Sequence, residues 1–250
     1  MISIDLNSKN ALITGGTRGI GRAISRRLAE AGANTTAVYR GDEETALVSL
    51  TERDAFRIGV HGNVQADIGE EPQVEQLIAR VKTLYPEGLD LLILNAGIGL
   101  SGKVTEIVPA DWRRMLEVNL GSAFLLSRGL VPIMRRGGSL VAIGSGSGHD
   151  PIPGLAFYGA AKAGLTMFIA DLAQEVGPGG IRANVVSPGG TDTSFQGNAP
   201  APSEDRSNAT HNALRRRGVP DDVAGAVLFL CSDLAGFVTG QAIRVNGAAL

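Results

Sequence analysis

Short runs of β-branched and apolar residues alternate with longer helical patterns along the whole chain. Several of the short runs are apolar throughout, which is typical of strands covered on both faces. This β-α-β alternation predicts one parallel sheet with helices on both sides. The predicted strands are Asn10–Thr14, Asn34–Tyr39, Phe56–Asn63, Leu89–Leu94, Ser139–Ser145, Arg182–Ser187 and Ala242–Asn246. The predicted helices are Gly19–Ala31, Glu43–Arg53, Glu71–Tyr85, Ala110–Met134, Phe157–Val176 and Asp221–Cys231.

The totals agree with a single α/β domain over residues 1–250, a length that can bury a large core without a metal or a disulfide. A net charge of −2 indicates neither a nucleic-acid partner nor an anionic membrane surface. The chain has one cysteine, Cys231, so an intrachain disulfide is impossible. The first residues lack a basic, apolar leader, and no run approaches the roughly 18 apolar residues of a membrane span. We therefore expect a cytoplasmic protein.

One segment, Thr193 to His211, is rich in Ala, Pro, Ser and Asn and has no clear period. Long irregular segments inside a compact domain usually carry function. The segment predicts a substrate lid near residues 190–213, with a plain surface insertion as the alternative.

A glycine cluster follows the first predicted strand and precedes the first predicted helix: Gly15, Gly16, Gly19 and Gly21. Glycines let the backbone turn sharply and approach a pyrophosphate, while the helix N-terminus offers free N–H groups and a positive dipole end. The spacing is G-x-x-x-G-x-G and differs from the usual G-x-G-x-x-G fingerprint. The cluster predicts a dinucleotide site in a doubly wound Rossmann domain with a mostly parallel, seven-stranded sheet.

The end of the second predicted strand favours NADP(H) as the cofactor. An acid about 20 residues beyond the glycines would bind the ribose 2′-hydroxyl of NAD. The strand ends instead in Tyr39-Arg40-Gly41. A guanidinium fits a 2′-phosphate through forked, charge-assisted hydrogen bonds, and Arg18 is placed to approach the same phosphate from the other side. The alternative for Arg40 is a solvated surface charge.

A series of motifs, in order and over nearly the whole chain, resembles the short-chain dehydrogenase/reductase family. They are the loop Thr14–Gly21, the pair Asp67-Ile68, the turn Asn95-Ala96-Gly97, the helix residue Asn119, Ser145 with Tyr158 and Lys162, the segment Pro188–Thr193, and the tail segments Arg217–Ala224 and Val238–Gln241. The resemblance implies a Rossmann fold, an oxidoreductase acting on ketones or alcohols, and a homotetramer.

The resemblance also implies the site residues. The catalytic set is Asn119, Ser145, Tyr158 and Lys162, with Asn119 supporting a water relay to Lys162 or acting as a structural bridge. Tyr158 and Lys162 also belong to the cofactor set, whose other members are Gly15, Thr17, Arg18, Gly19, Ile20, Gly21, Arg40, Asp67, Ile68, Asn95, Ala96, Gly97, Pro188, Gly189, Thr191 and Thr193. Asp67 and Ile68 stand where the family contacts adenine.

Tyr158 and Lys162 are four residues apart and therefore share one helix face. A free tyrosine has a pKa of about 10, and a nearby ammonium is expected to lower the pKa of Tyr158 towards neutrality. Tyr158 would then donate a proton to a carbonyl oxygen, while Ser145 hydrogen-bonds that oxygen. Ser147 is a rival to Ser145, and His149 is either a substrate contact or a plain loop histidine.

The predicted pocket walls are apolar, with no clear guarding Arg or Lys, and they favour a neutral ketone. The substrate residues are Ser145, Ser147, Pro151, Ile152, Tyr158 and Phe195. A bulky polyketide-derived polycyclic ketone is favoured, and a carrier-bound acyl ketone, with an acidic carrier protein meeting Arg113, Arg114, Arg135 and Arg136, is the other possibility. A same-fold dehydratase or epimerase and a non-catalytic NADP-binding regulator stay open.

Overall fold

A seven-stranded, entirely parallel sheet forms the centre of the protein, in the strand order β3-β2-β1-β4-β5-β6-β7. The structure is a computed structural model and describes residues 4–193 and 212–249. The strands are β1 (Asn10–Thr14), β2 (Asn34–Tyr39), β3 (His61–Gln65), β4 (Leu89–Leu94), β5 (Met134–Ile143), β6 (Arg182–Pro188) and β7 (Ala242–Val245). The doubly wound Rossmann prediction is confirmed, and β1, β2 and β4 have their predicted bounds.

Helices cover both faces of this sheet. They are α1 (Gly19–Glu30), α2 (Glu43–Asp54), α3 (Glu71–Leu84), α4 (Pro109–Leu116), α5 (Ser122–Leu130), α6 (Ala156–Val176) and α7 (Pro220–Cys231). Alternate strand residues point to opposite faces. Leu12, Leu92 and Leu140 join one core with α3, α5 and α6. Ile13 and Ile93 join the other with α1 and α7. None of the helices in the described part of the chain is both long enough and apolar enough to span a membrane.

The predicted start of β3 at Phe56 is wrong, because the strand begins at His61. Arg57 and Gly59 have positive φ angles of 55° and 77°, so the chain turns there and cannot be extended. β3 instead depends on a fully buried arginine of α2. Arg53 Nη1 donates to the Thr35 and Gly62 carbonyl oxygens, both at 3.2 Å, and joins β2 to β3.

The single helix predicted over Ala110–Met134 is also wrong. α4 ends at Leu116, a π-helical turn spans Glu117–Gly121, and α5 ends before a 3₁₀ turn that contains Pro132. The Asn119 side chain causes the first break, because its Nδ2 donates to the Met115 carbonyl oxygen at 3.0 Å and competes with the backbone. Pro132 stops the helix, and β5 therefore starts at Met134, five residues before its predicted start.

His61 generates a pH prediction. Its pKa is lowered by burial and by the charge of Arg53, and its Nδ1 lies 2.9 Å from Thr35 Oγ1. The unfolded chain therefore binds a proton that the folded chain resists, and stability falls as the pH drops below about 6.5. A drop from about pH 7.5 to pH 5.5 should lower the Tm of the wild type more than that of His61→Gln, as measured by thermal unfolding. Equal losses in both proteins would disprove this role.

Candidate active site

A cleft of about 1300 Å³ opens at the carboxyl ends of the strands, around the point where β1 and β4 lie side by side. In such sheets the connections run in opposite directions from this point, and ligands bind there. The two strand ends are tied together by Asn95, whose Nδ2 donates to the Thr14 carbonyl at 2.8 Å and to the Gly15 carbonyl at 3.1 Å. This tie fixes the mouth between the glycine loop and β4.

The glycine loop fits a pyrophosphate. Gly15 has a φ of +62°, and a Cβ there would lie 3.0 Å from Asn95 Nδ2. A Cβ on Gly21 would stand 2.0 Å from the Gly15 carbonyl oxygen, so only glycine fits. α1 begins at Gly19 with no side-chain cap and no acid in its first turn. Its first amides therefore remain available to an anion in the cleft.

All eighteen predicted cofactor residues line this one cleft. Thr193 approaches the glycine loop from the other side, since a Cβ on Gly19 would lie 3.5 Å from the Thr193 Cβ. The residues before and after the predicted lid are held together by hydrogen bonds of the Gly218 N–H to Gly190 and of the Asp192 N–H to Gly218, at 3.0 and 2.9 Å. The lid residues 194–211 lie outside the described part of the chain.

Arg18 and Arg40 stand exposed on the cleft wall beside the end of β2. Within residues 4–193 and 212–249 neither forms an ion pair. The other arginines of the cleft are each paired with acids: Arg114 with Asp67 and Glu70, Arg216 with Asp222, and Arg244 with Asp150. The β2 end of the cleft therefore carries a net positive charge, whereas elsewhere in the cleft each arginine is neutralised by a neighbouring acid.

Lys162 is buried on α6 at 3% exposure. Its Nζ donates to the Ile143 carbonyl oxygen at 2.8 Å and lies 5.9 Å from the centre of the Tyr158 ring. Burial lowers the pKa of this lysine to about 8. The hydrogen bond joins α6 to the end of β5, so the helix that carries Tyr158 is fixed relative to the strand that leads to Ser145.

The expected lowering of the Tyr158 pKa is wrong for this structure. Burial raises the pKa of Tyr158 to about 12, and a hydrogen bond with Ser145 opposes that rise. Lys162 does not offset the effect of burial, since its Nζ donates to the Ile143 carbonyl oxygen and burial lowers the pKa of the lysine as well. Tyr158 is therefore a protonated phenol at neutral pH, which is the form that can donate a proton.

Both candidate serines lie beside Tyr158, and they contact each other. Ser145 follows β5 in an extended conformation and begins a 3₁₀ turn over Gly146–Gly148. Ser145 Oγ lies 2.9 Å from Ser147 Oγ and accepts from the Ser147 N–H at 3.3 Å. The hydrogen bond to Tyr158 belongs to Ser145, so the serine chosen by spacing is the one that contacts the phenol.

Asn119 does not line the cleft. It is 2% exposed, and its Nδ2 donates to the Ile98 carbonyl at 2.9 Å while its Oδ1 accepts from the Ile98 N–H at 3.3 Å. It therefore bridges the π-helical turn to the segment after β4. A Cβ on Gly97 would lie 2.6 Å from Asn119 Oδ1 and 3.6 Å from Lys162 Nζ, so glycine separates the two side chains.

Of the predicted substrate residues, Ser147, Pro151 and Ile152 line the same cleft as Ser145 and Tyr158, and Phe195 lies outside the described residues. His149 Nε2 lies 2.9 Å from the buried Ser187 Oγ, which fastens the loop to β6. Within residues 4–193 and 212–249, no group of three or more His, Cys, Asp or Glu side chains is arranged to hold a metal ion.

The expectation that no Arg or Lys guards the pocket is wrong. Arg216 and Arg244 line the cleft, as do Asp150, Asn212 and Leu214. Arg244 stands near the end of β7, and its position at a strand's carboxyl end was the signal that could have identified it. Its pairing with Asp150, at 3.0 Å, was not visible in the sequence because 94 residues separate the partners.

This cleft, with a glycine loop at one end and a Ser-Tyr-Lys cluster at the other, defines a Rossmann-fold oxidoreductase. Residues 15–248 match the family model described as enoyl-(acyl carrier protein) reductase. The chain is 36% identical to the 3-oxoacyl-(acyl-carrier-protein) reductase of Aquifex aeolicus, over 98% of this chain and 99% of that protein. The protein belongs to the short-chain dehydrogenase/reductase family and is an oxidoreductase of that family.

Two solved structures are similar throughout, each with a TM-score of 0.90. One is a short chain dehydrogenase from Burkholderia cenocepacia in complex with NADP, at 32% identity, covering 97% of this chain and 98% of that one. The other is a blue fluorescent protein from a metagenomic library in complex with NADPH, at 33% identity, covering 98% of both chains.

Lys162 generates a stability prediction. Between about pH 8 and its ordinary pKa of 10.5, the unfolded chain holds a proton on Lys162 that the folded chain has lost, so this residue makes stability rise with pH. Lys162→Met should lack that rise. At pH 7 it should be more stable by roughly 1–2 kcal/mol, since a buried ammonium is costly, and it should lose turnover.

The matched control is Lys82→Met, which removes an exposed lysine of α3 and should leave both stability and its pH slope unchanged. Chemical denaturation from about pH 7 to pH 10 measures the free energy of unfolding of the wild type and both variants. A Lys162→Met protein that is less stable at pH 7 and keeps the wild-type slope would contradict the cost assigned to burying this lysine.

Proposed function

We propose that the protein reduces a ketone to a secondary alcohol with NADPH. The observation that carries the proposal is the contact of Ser145 with Tyr158, with Lys162 behind them, on the wall of a cleft whose other end is a glycine loop. A protonated phenol and a hydroxyl that converge on one point can serve one carbonyl oxygen.

When bound, the reduced nicotinamide supplies a hydride to the carbonyl carbon. Tyr158 gives its phenolic proton to the carbonyl oxygen as the C=O π bond breaks, and Ser145 donates a hydrogen bond to that oxygen. The phenolate left on Tyr158 is stabilised by the Lys162 ammonium and regains a proton from water. Asn119 holds the turn next to Gly97, from where it supports the water relay to Lys162 that the family resemblance implies. The reverse sequence oxidises the alcohol.

NADP(H) is the proposed cofactor because Arg18 and Arg40 line the cleft beside the end of β2, and neither forms an ion pair with another described residue. Asp42 stands nearby, but its carboxylate is engaged by Thr45, through the backbone N–H at 2.9 Å and the hydroxyl at 2.7 Å. These hydrogen bonds, and then the charge of Arg18, lower the Asp42 pKa. An acid used as a helix cap is a poor partner for a ribose hydroxyl.

The proposed substrate is a neutral, bulky and largely apolar ketone, such as a polycyclic ketone derived from a polyketide. Leu100, Pro151, Ile152, Leu155 and Leu214 line the substrate end of the cleft. Its charged residues neutralise each other as the pairs Asp150–Arg244 and Arg216–Asp222. Apart from the buried Lys162, no charged residue at this end is left without an ion pair among the described residues. A carrier-bound acyl ketone is the second candidate, but Arg114 and Arg135 are engaged with acids and less available to a carrier protein.

We further propose that the protein is a cytoplasmic homotetramer with one domain. α4, α5 and α6 lie on the same side of the chain's fold and leave Trp112, Phe124 and Met167 exposed at 38%, 51% and 63%. Large apolar side chains at the surface mark contact sites between proteins when they lie together. A second copy of the chain is the proposed partner.

Replacement of the proton donor is the direct test. Tyr158→Phe should bind NADPH with nearly unchanged affinity, since only one hydroxyl is removed, and should lose turnover by about 100-fold or more. Turnover is followed by the absorbance of the reduced nicotinamide with a panel of ketones. Tyr85→Phe is the matched control, because its hydroxyl bonds Thr36 at 2.6 Å, away from the cleft. A Tyr158→Phe enzyme with near wild-type turnover would refute the mechanism.

The cofactor preference is tested at Arg40. Arg40→Ala should raise the Kd for NADPH by about tenfold, the value of one charge-assisted contact of roughly 1.4 kcal/mol in a solvated site. The Kd for NADH should change less than about twofold, because NADH lacks the 2′-phosphate. Fluorescence titration of both cofactors measures this. A wild-type protein that is as efficient with NADH as with NADPH would contradict the proposed preference.

A further inference from the structure

An ion pair on the wall of the cleft joins two elements that are distant in the sequence. Asp67 follows β3, and Arg114 lies on α4. Arg114 Nη2 donates to both carboxylate oxygens of Asp67, at 2.7 Å and 2.6 Å, and its Nη1 donates to Glu70 Oε1 at 3.1 Å. Both Arg114 and Asp67 line the cleft.

The chain is built closely around this guanidinium. Gly69 stands directly against it, because a Cβ there would lie 2.1 Å from Arg114 Nη1 and 2.6 Å from Val118 Cγ2. Any larger residue would displace the arginine. The pair is also shielded, with side-chain exposures of 28% for Arg114 and 21% for Asp67, so water screens it less than an ordinary surface pair.

The surroundings of Asp67 form a slot for a flat, partly apolar ring. Val38, Ala66, Ile68 and Val118 line this part of the cleft and are each nearly fully buried. The slot lies on the β1-β2-β3 side of the switch point, where one mononucleotide half of a dinucleotide binds. The polar group offered at its edge is a carboxylate, which accepts hydrogen bonds and cannot donate them while ionised.

We propose that Arg114 is a positioning residue for the purine of the cofactor, acting through Asp67. Asp67 Oδ1 accepts from Arg114 and from the Gly69 N–H at 3.0 Å, whereas Asp67 Oδ2 accepts from Arg114 and keeps a lone pair. That lone pair is the acceptor for the 6-amino group of adenine. The inference rests on the proposed dinucleotide cofactor and adds the residue that fixes how its base is selected.

Arg114 acts in two ways. It fixes the rotamer of the carboxylate, so the acceptor is in position before the purine arrives. It also keeps that carboxylate ionised: burial alone would raise the Asp67 pKa, but the hydrogen bonds from Arg114 and Gly69 outweigh it and the pKa is lowered. A purine with a carbonyl group in place of the 6-amino group has no donor there for the carboxylate, so neither effect of Arg114 helps it to bind.

The test is a binding titration with two cofactors, NADPH and its deaminated analogue, in which hypoxanthine replaces adenine. Arg114→Ala should raise the Kd for NADPH about three- to tenfold, the value of one aligned hydrogen bond, and the Kd for the analogue less than about twofold. The wild type should prefer NADPH, and Arg114→Ala should lose most of that preference. Arg114→Lys keeps the positive charge but lacks the paired N–H donors of the guanidinium, and it should recover part of the preference for NADPH.

Arg113→Ala is the matched control, since Arg113 is the exposed neighbour on the same helix. Thermal unfolding checks that every variant is folded, and binding needs no knowledge of the ketone. Equal weakening of both cofactors by Arg114→Ala, or weakening of neither, would overturn the inference and leave the proposed function intact. A wild type that binds neither cofactor would overturn both. If Arg114→Ala does not fold, Arg114→Lys is titrated with both cofactors instead. Equal weakening of both cofactors, or weakening of neither, would again overturn the inference.

Discussion

The hydrogen bond from Lys162 Nζ to the Ile143 carbonyl is the contact on which the site depends. It joins the long helix α6 to the end of strand β5, and thereby places Tyr158 of the helix against Ser145 beyond the strand. Because the ammonium is buried, the bond cannot be exchanged for one to water without moving the helix. The cluster is therefore held in place before any substrate arrives, at a cost in stability that the large surrounding core absorbs.

Charge is distributed along the cleft in a way that separates its two ends. Arg114, Arg216 and Arg244 are each paired with an acid, while Arg18 and Arg40 beside β2 form no ion pair within the described residues. The field of the cleft is therefore most positive at the β2 end. The raised pKa of Tyr158 follows from the exclusion of water around the buried phenol.

Local patterns were sufficient for much of the fold. β1, β2 and β4 are apolar runs bounded by turn residues, and the helices that flank them have simple amphipathic periods. The predicted element bounds are wrong where side-chain hydrogen bonds determine where a strand or helix begins or ends. Arg53 organises β3 from α2, and Asn119 breaks the helix after α4 by bonding Ile98 and Met115. The predicted cofactor residues line one cleft because most of them stand at or just after strand ends. The pairing of Arg244 with Asp150 and of Arg114 with Asp67 depends on tertiary packing and has no local signal.

We propose that Tyr158 and Ser145 serve hydride transfer to a carbonyl carbon. The most direct measurement uses NADPH deuterated at the reactive carbon of the nicotinamide, with a fused bicyclic ketone, and examines the product by mass spectrometry and NMR. Hydride transfer from the cofactor predicts one deuterium, on the carbinol carbon and on a single face. A cofactor that binds but transfers no deuterium to any ketone of a broad panel, or a product dehydrated or epimerised without deuterium, would contradict it.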